Sequence, residues 1–223
     1  MTRSGASGLL LVLLLTACQP ATQPGVQTQG SGQTPAQNQT QQPDPSAGNW
    51  TGTLNYKFSE NVSQGGGDAT SESSQVYEAT VRLRTEQGDS GRWNLVGDAN
   101  ITAERSIYFH SSVDSPLGHC EETHTDKAQA EGTAVAIESG GLEITDDFYQ
   151  FTVQLPDVDG TEISKRLYTG CGGTNETDTH PWVGGAGGAL GGSGKLTDPN
   201  SISGSTTEPG GQRTTTWRLV RRP

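Results

Sequence analysis

In the stretch WTGTLNYKF, Trp50, Gly52, Leu54, Tyr56 and Phe58 occupy every second position, with Thr51, Thr53, Asn55 and Lys57 between them. A period of two sends one set to a core and the other to water, which is the signature of a half-buried β-strand. The pattern recurs. In VYEATVRLR, Tyr77, Ala79, Val81 and Leu83 share a face, and in RWNLVGDANITAE so do Trp93, Leu95, Ala99 and Ile101. FYQFTVQL repeats it with Tyr149, Phe151, Val153 and Leu155, and TTTWRLVR with Trp217 and Leu219. Shorter pairs are Ile107 with Phe109, Val135 with Ile137, Leu142 with Ile144, and Ile163 with Leu167. No comparable stretch carries a helical period.

Turn chemistry falls between these runs: Gln87-Gly88-Asp89-Ser90-Gly91, Ser139-Gly140-Gly141, and Asp157-Val158-Asp159-Gly160 after Pro156, whose Asp-Gly pair suits a hairpin. Short turns join antiparallel neighbours. The expected fold is all-β, an antiparallel meander of about eight to ten strands. One-sided alternation suits a closed or nearly closed barrel, with a β-sandwich as the alternative. Pairing of the end strands, bearing Trp50 and Trp217, would close the barrel and remove the sheet edges. Gly48-Asn49-Trp50 resembles the Gly-x-Trp at the first strand of lipocalins, and Arg218 or Arg221 stands where that family packs a basic residue on the tryptophan. Thr145-Asp146-Asp147-Phe148-Tyr149 is loosely similar to the family's Thr-Asp-Tyr turn, with two extra residues. The family's helical segments have no counterpart, so the resemblance implies barrel shape and not membership.

The chain opens MTRSGASGLLLVLLLTACQP, with Arg3 ahead of an apolar run from Leu9 to Leu15. That run is too short to cross a bilayer core of about 30 Å as a helix; it has the layout of an export signal. Leu15-Thr16-Ala17-Cys18 resembles the lipobox of bacterial lipoproteins. The resemblance covers residues 1–18 and implies a signal peptide over 1–17, cleavage before Cys18, and acyl chains on that cysteine that anchor the protein to a membrane. Gln19 follows Cys18, which in a two-membrane cell implies the outer membrane. Residues 18–48 are then the lipidated cysteine and a tether of Gln, Pro, Thr, Gly and Ser, unable to bury enough apolar surface to order itself. Residues 49–223 form the all-β domain.

The formal charge is −11, with 25 acidic and 14 basic residues, which does not suit nucleic acid or anionic lipid. Of the three cysteines, lipidation takes Cys18, and export then implies a disulfide between Cys120 and Cys171. The segment Gly118-His119-Cys120-Glu121-Glu122-Thr123-His124 becomes a polar loop beside that bridge. The less favoured alternative is a metal held by His119, Cys120, His124 and Cys171, at spacings that match no standard zinc unit. No metal and no cofactor is expected. WVGGAGGALGGSGKLTD lacks the phosphate-loop spacing and reads as a flexible loop from Gly184 to Gly194, and DVDGTE lacks the glycine and glutamate positions of a calcium loop. No Gly-x-Ser-x-Gly is present and no catalytic residue stands out. The expected function is non-catalytic: an envelope lipoprotein binding a small apolar ligand or a protein partner at the barrel mouth or the glycine-rich loop. A structural component of an envelope assembly is the alternative. An envelope hydrolase is the rival, and requires His110, His119, His124 or His180 beside a nucleophile and a carboxylate.

Overall fold

The computed structural model describes residues 49–86, 88, 91–116, 118–170 and 172–222. The expected signal peptide and tether, Cys18 and Cys171 lie outside the described residues. The alternating segments form strands as their period dictates: β1 (Asn49–Gly66), β2 (Ala69–Glu86), β3 (Arg92–Ser115), β4 (Gly118–Ala136), β5 (Ser139–Thr145), β6 (Phe148–Gln154), β7 (Val158–Thr169), β8 (Glu176–Gly184), β9 (Leu190–Lys195), β10 (Ser201–Thr207) and β11 (Arg213–Arg222). Among the described residues these 11 strands make one antiparallel sheet, so the all-β expectation holds with one strand more than the upper count.

β1 to β4 run as a meander, and β1 also pairs with β11, setting Trp50 opposite Arg221 and Leu54 opposite Trp217. The end strands therefore do meet. Arg221 shares the core face with Trp217 and Leu219, whereas Arg218 is exposed on the other face. β3 forks the sheet. Its Arg92–Asn94 segment pairs with β5, while Asp98 onward pairs with β4, with a bulge between Ala99 and Ile101. From the fork, β5-β6-β9 curls round one end of the molecule and β4-β7-β8 extends the other.

β9 and β10 come together without a hydrogen-bonded ladder, so the sheet is not closed. Side chains bridge this seam. The indole Nε1 of Trp217 donates to the Tyr149 hydroxyl at 3.2 Å, and that hydroxyl donates to the Ser203 carbonyl at 3.3 Å. Phe151 meets Trp217 edge-on with centroids 5.3 Å apart. Each ring lies opposite a glycine of its neighbouring strand, Gly192 for Phe151 and Gly204 for Trp217. A Cβ on Gly192 would sit 2.6 Å from the indole, and one on Gly204 would sit 2.5 Å from it. The expected loop over Gly184–Gly194 is corrected in part: residues 185–189 connect β8 to β9, but residues 190–195 are β9, where aromatic rings crowd the side-chain space at Gly192 and Gly194.

Inside the curl Trp50, Leu54, Tyr77, Val81, Leu95, Ile101, Leu142, Val153, Ile202 and Leu219 are the largest fully buried side chains. Burial of each such aliphatic side chain contributes about 1.5–3 kcal/mol. Three turn readings shift. Ser139-Gly140-Gly141 opens β5, which continues along β3 in the direction of β4, so Ile137-Glu138 is an irregularity between two collinear strands and not a turn. Asp159-Gly160 is no hairpin turn, because β6 and β7 do not pair; Gly160 lies within β7, where an added Cβ would sit 2.0 Å from the Gln129 carbonyl oxygen. The Gly118–His124 segment is not a loop but the start of β4, held between β3 and β7. Ile163 and Leu167 also depart from expectation, being 43% and 50% exposed, because the opposite face of β7 is the one that continues the core side.

Candidate binding site

Strand alternation decides what GHCEETH can do. In β4, His119 and Glu121 point to one face, and Cys120, Glu122 and His124 to the other. His119 lies between Asp114 (2.8 Å at Nδ1) and Glu121 (3.1 Å at Nε2), and these hydrogen bonds, Asp114 first, raise its pKa above the ordinary 6.5. Cys120 is disulfide-bonded. Glu121 pairs with Thr169, so β4 and β7 meet next to Cys120, and its expected partner Cys171 lies outside the described residues. Among the described residues no group of three or more His, Cys, Asp or Glu is placed to hold a metal ion.

On the inner face His124 meets Asp126 at 2.8 Å and Ser164 at 3.0 Å, and Ser164 donates to Asp126 at 2.6 Å. These residue types match a hydrolytic triad, but the wiring differs. A triad uses both ring nitrogens, one for the carboxylate and one for the serine. Here both partners meet Nε2, and the serine proton goes to the carboxylate. The cluster ties β4 to β7. Ser164 became visible only through the strand register. His110 contacts Thr123 at 3.4 Å, and His180 stands exposed opposite Glu162 on β8.

At the mouth of the curl, residues 186–191, Tyr56, Thr206, Glu208, Arg213 and Thr215 enclose a pocket of about 180 Å³. Arg213 faces Glu208 at 3.5 Å and lies 5.3 Å over the Phe58 ring. Tyr56 and Tyr77 contact each other there at 5.7 Å, and burial is the main cause that pushes both hydroxyl pKa values up.

A larger groove, of about 1180 Å³, runs over the outer face of β3, β5, β6 and β9. Its floor is the row Asn94, Gly141, Thr152 and Gly191, paired strand to strand. The next row is Arg92, Glu143, Gln150 and Ser193. Glu143 is pinned from both sides: Gln150 donates to one carboxylate oxygen at 2.9 Å, and Arg92 donates twice to the other at 2.9 and 3.0 Å. These bonds, Gln150 first, hold its pKa below the usual carboxylate value. One row further along β6, Phe148 stands 47% exposed on the same face. Nothing in the sequence marked this groove, because its residues belong to the polar half of each alternation.

The fold and these surfaces define an open, single-sheet β protein. The chain matches no protein-family model, no curated protein and no solved structure.

Proposed function

We propose that this chain is a membrane-anchored lipoprotein of the cell envelope whose β domain binds an envelope partner on its surface, without catalysis. One observation carries the binding reading: the interior is filled by side chains such as Trp50, Leu54 and Tyr77, so the ligand-sized concavity lies outside the core. A packed interior argues for a partner held on the surface over a small apolar ligand carried within. The anchor reading rests on Leu15-Thr16-Ala17-Cys18, and the disulfide reading takes Cys171 as the partner of Cys120. Localisation follows the anchor, at the outer membrane where the cell has two.

The test of the anchor is metabolic labelling with palmitate in bacterial cells, comparing the full chain with Cys18→Ser. Labelled wild type in the membrane fraction, with an unlabelled variant, is the expected result. Unlabelled, freely soluble wild type overturns it.

A further inference from the structure

We infer that the groove over β5, β6 and β9 is a subsite for a glycan strand. This rests on the reading of the domain as a surface binder and names the chemistry of its partner. The first observation is Gly141. A glycine inside a strand costs about 0.5–1 kcal/mol relative to alanine. At most strand glycines here a neighbour takes the missing side chain's place, as at Gly192 and Gly160. At Gly141 an added Cβ would meet nothing within 4 Å, and the backbone angle lies outside the glycine-favouring region. Neither packing nor conformation asks for glycine, so the empty space over the groove floor is what the residue provides.

The second observation is the wall. Arg92, Glu143 and Gln150 form a hydrogen-bonded row of guanidinium, carboxylate and amide, with donors and acceptors side by side. Arg92 offsets the charge of Glu143, which leaves the row neutral. Neighbouring hydroxyls of a sugar each donate and accept, and planar groups with both capacities engage them in pairs. A phosphate or a cation would call for an unbalanced charge.

The third is Phe148, whose exposed ring lies in line with Gln150 on β6. The negative face of an aromatic ring attracts the polarised C–H face of a pyranose. The groove is open and runs across several strands, a shape that admits a polymer and not only its end.

The experiment is co-sedimentation of the purified full chain, in detergent, with isolated cell-wall sacculi and separately with insoluble chitin and cellulose. Wild type is expected in the pellet of at least one. Sacculi alone identify wall glycan, and chitin or cellulose alone an extracellular polysaccharide; either supports the assignment. Gly141→Leu fills the trough, and Phe148→Ala removes the ring. Each is expected to weaken binding about tenfold, or roughly 1.4 kcal/mol, with Gly141→Leu melting no lower than wild type. Leu167→Ala, on an exposed part of β7, leaves binding unchanged. Wild type that sediments with none of the polymers, or groove variants that bind as wild type does, overturns the inference. Palmitate labelling is independent of either result, so the anchored reading and this one fail separately.

Discussion

The Tyr149 hydroxyl accepts from Trp217 and donates to Ser203, so one oxygen links β6 to both β10 and β11. Tyr149→Phe leaves the indole N–H without its acceptor in a site where Trp217 is only 5% exposed. The expected loss is about 1–3 kcal/mol, read from urea unfolding at unchanged m-value. His119 offers a titration. Its raised pKa means that its contribution to stability is fully present below the ordinary value of 6.5 and fades as pH rises through the folded value. Asp114→Asn removes the largest cause. An NMR titration of the His119 ring is expected to show a midpoint above 6.5 in the wild type and a lower one in the variant. At this scale the sequence was informative about residue types and silent about partners. That His119 and His124 stand on opposite faces follows from their odd and even numbers once the segment is known to be a strand. That Ser164 reaches His124 from 40 positions away does not.

β9 was hidden because its six residues contain three glycines and one apolar residue, which reads as a linker. The rings of Phe151 and Trp217 at Gly192, and of Tyr149 at Gly194, stand where side chains would be, so the information that makes it a strand lies in other strands. Gly192→Val puts methyl groups into those rings and is expected to cost about 1–3 kcal/mol by overpacking, measured as a lower midpoint of thermal unfolding. β1, β2, β3, β6 and β11 were legible because one face is apolar and the other polar. β4, β7 and β8 carry polar residues on both faces where they extend past the core, and alternation cannot be seen without contrast. Ile163 and Leu167 supplied a false contrast, apolar side chains on the solvent face of β7. With Cys171 as partner, the Cys120 disulfide would lock β4 to β7 at this far end. Replacing both cysteines by alanine is expected to cost about 2–4 kcal/mol, and thiol titration of the unfolded, unreduced domain is expected to find none free.

Among the described residues, the open sheet leaves β8 an edge strand and leaves β9 and β10 to face each other unpaired, while β1, the first strand, sits in the interior of the ladder. β1 is hydrogen-bonded along its length, from Asn49–Arg222 to Phe58–Arg213 on one side and from Thr51–Arg84 to Gly66–Ala69 on the other. A protein fixed to a membrane through residues before Asn49, and gripping a polymer elsewhere, takes any pull at the first residue of that strand. The load then runs parallel to β1 and shears two ladders at once, where a pull on an edge strand would unzip one pair at a time. In single-molecule stretching, pulling through Asn49 against an attachment on β6 is expected to need a higher force than pulling through β8.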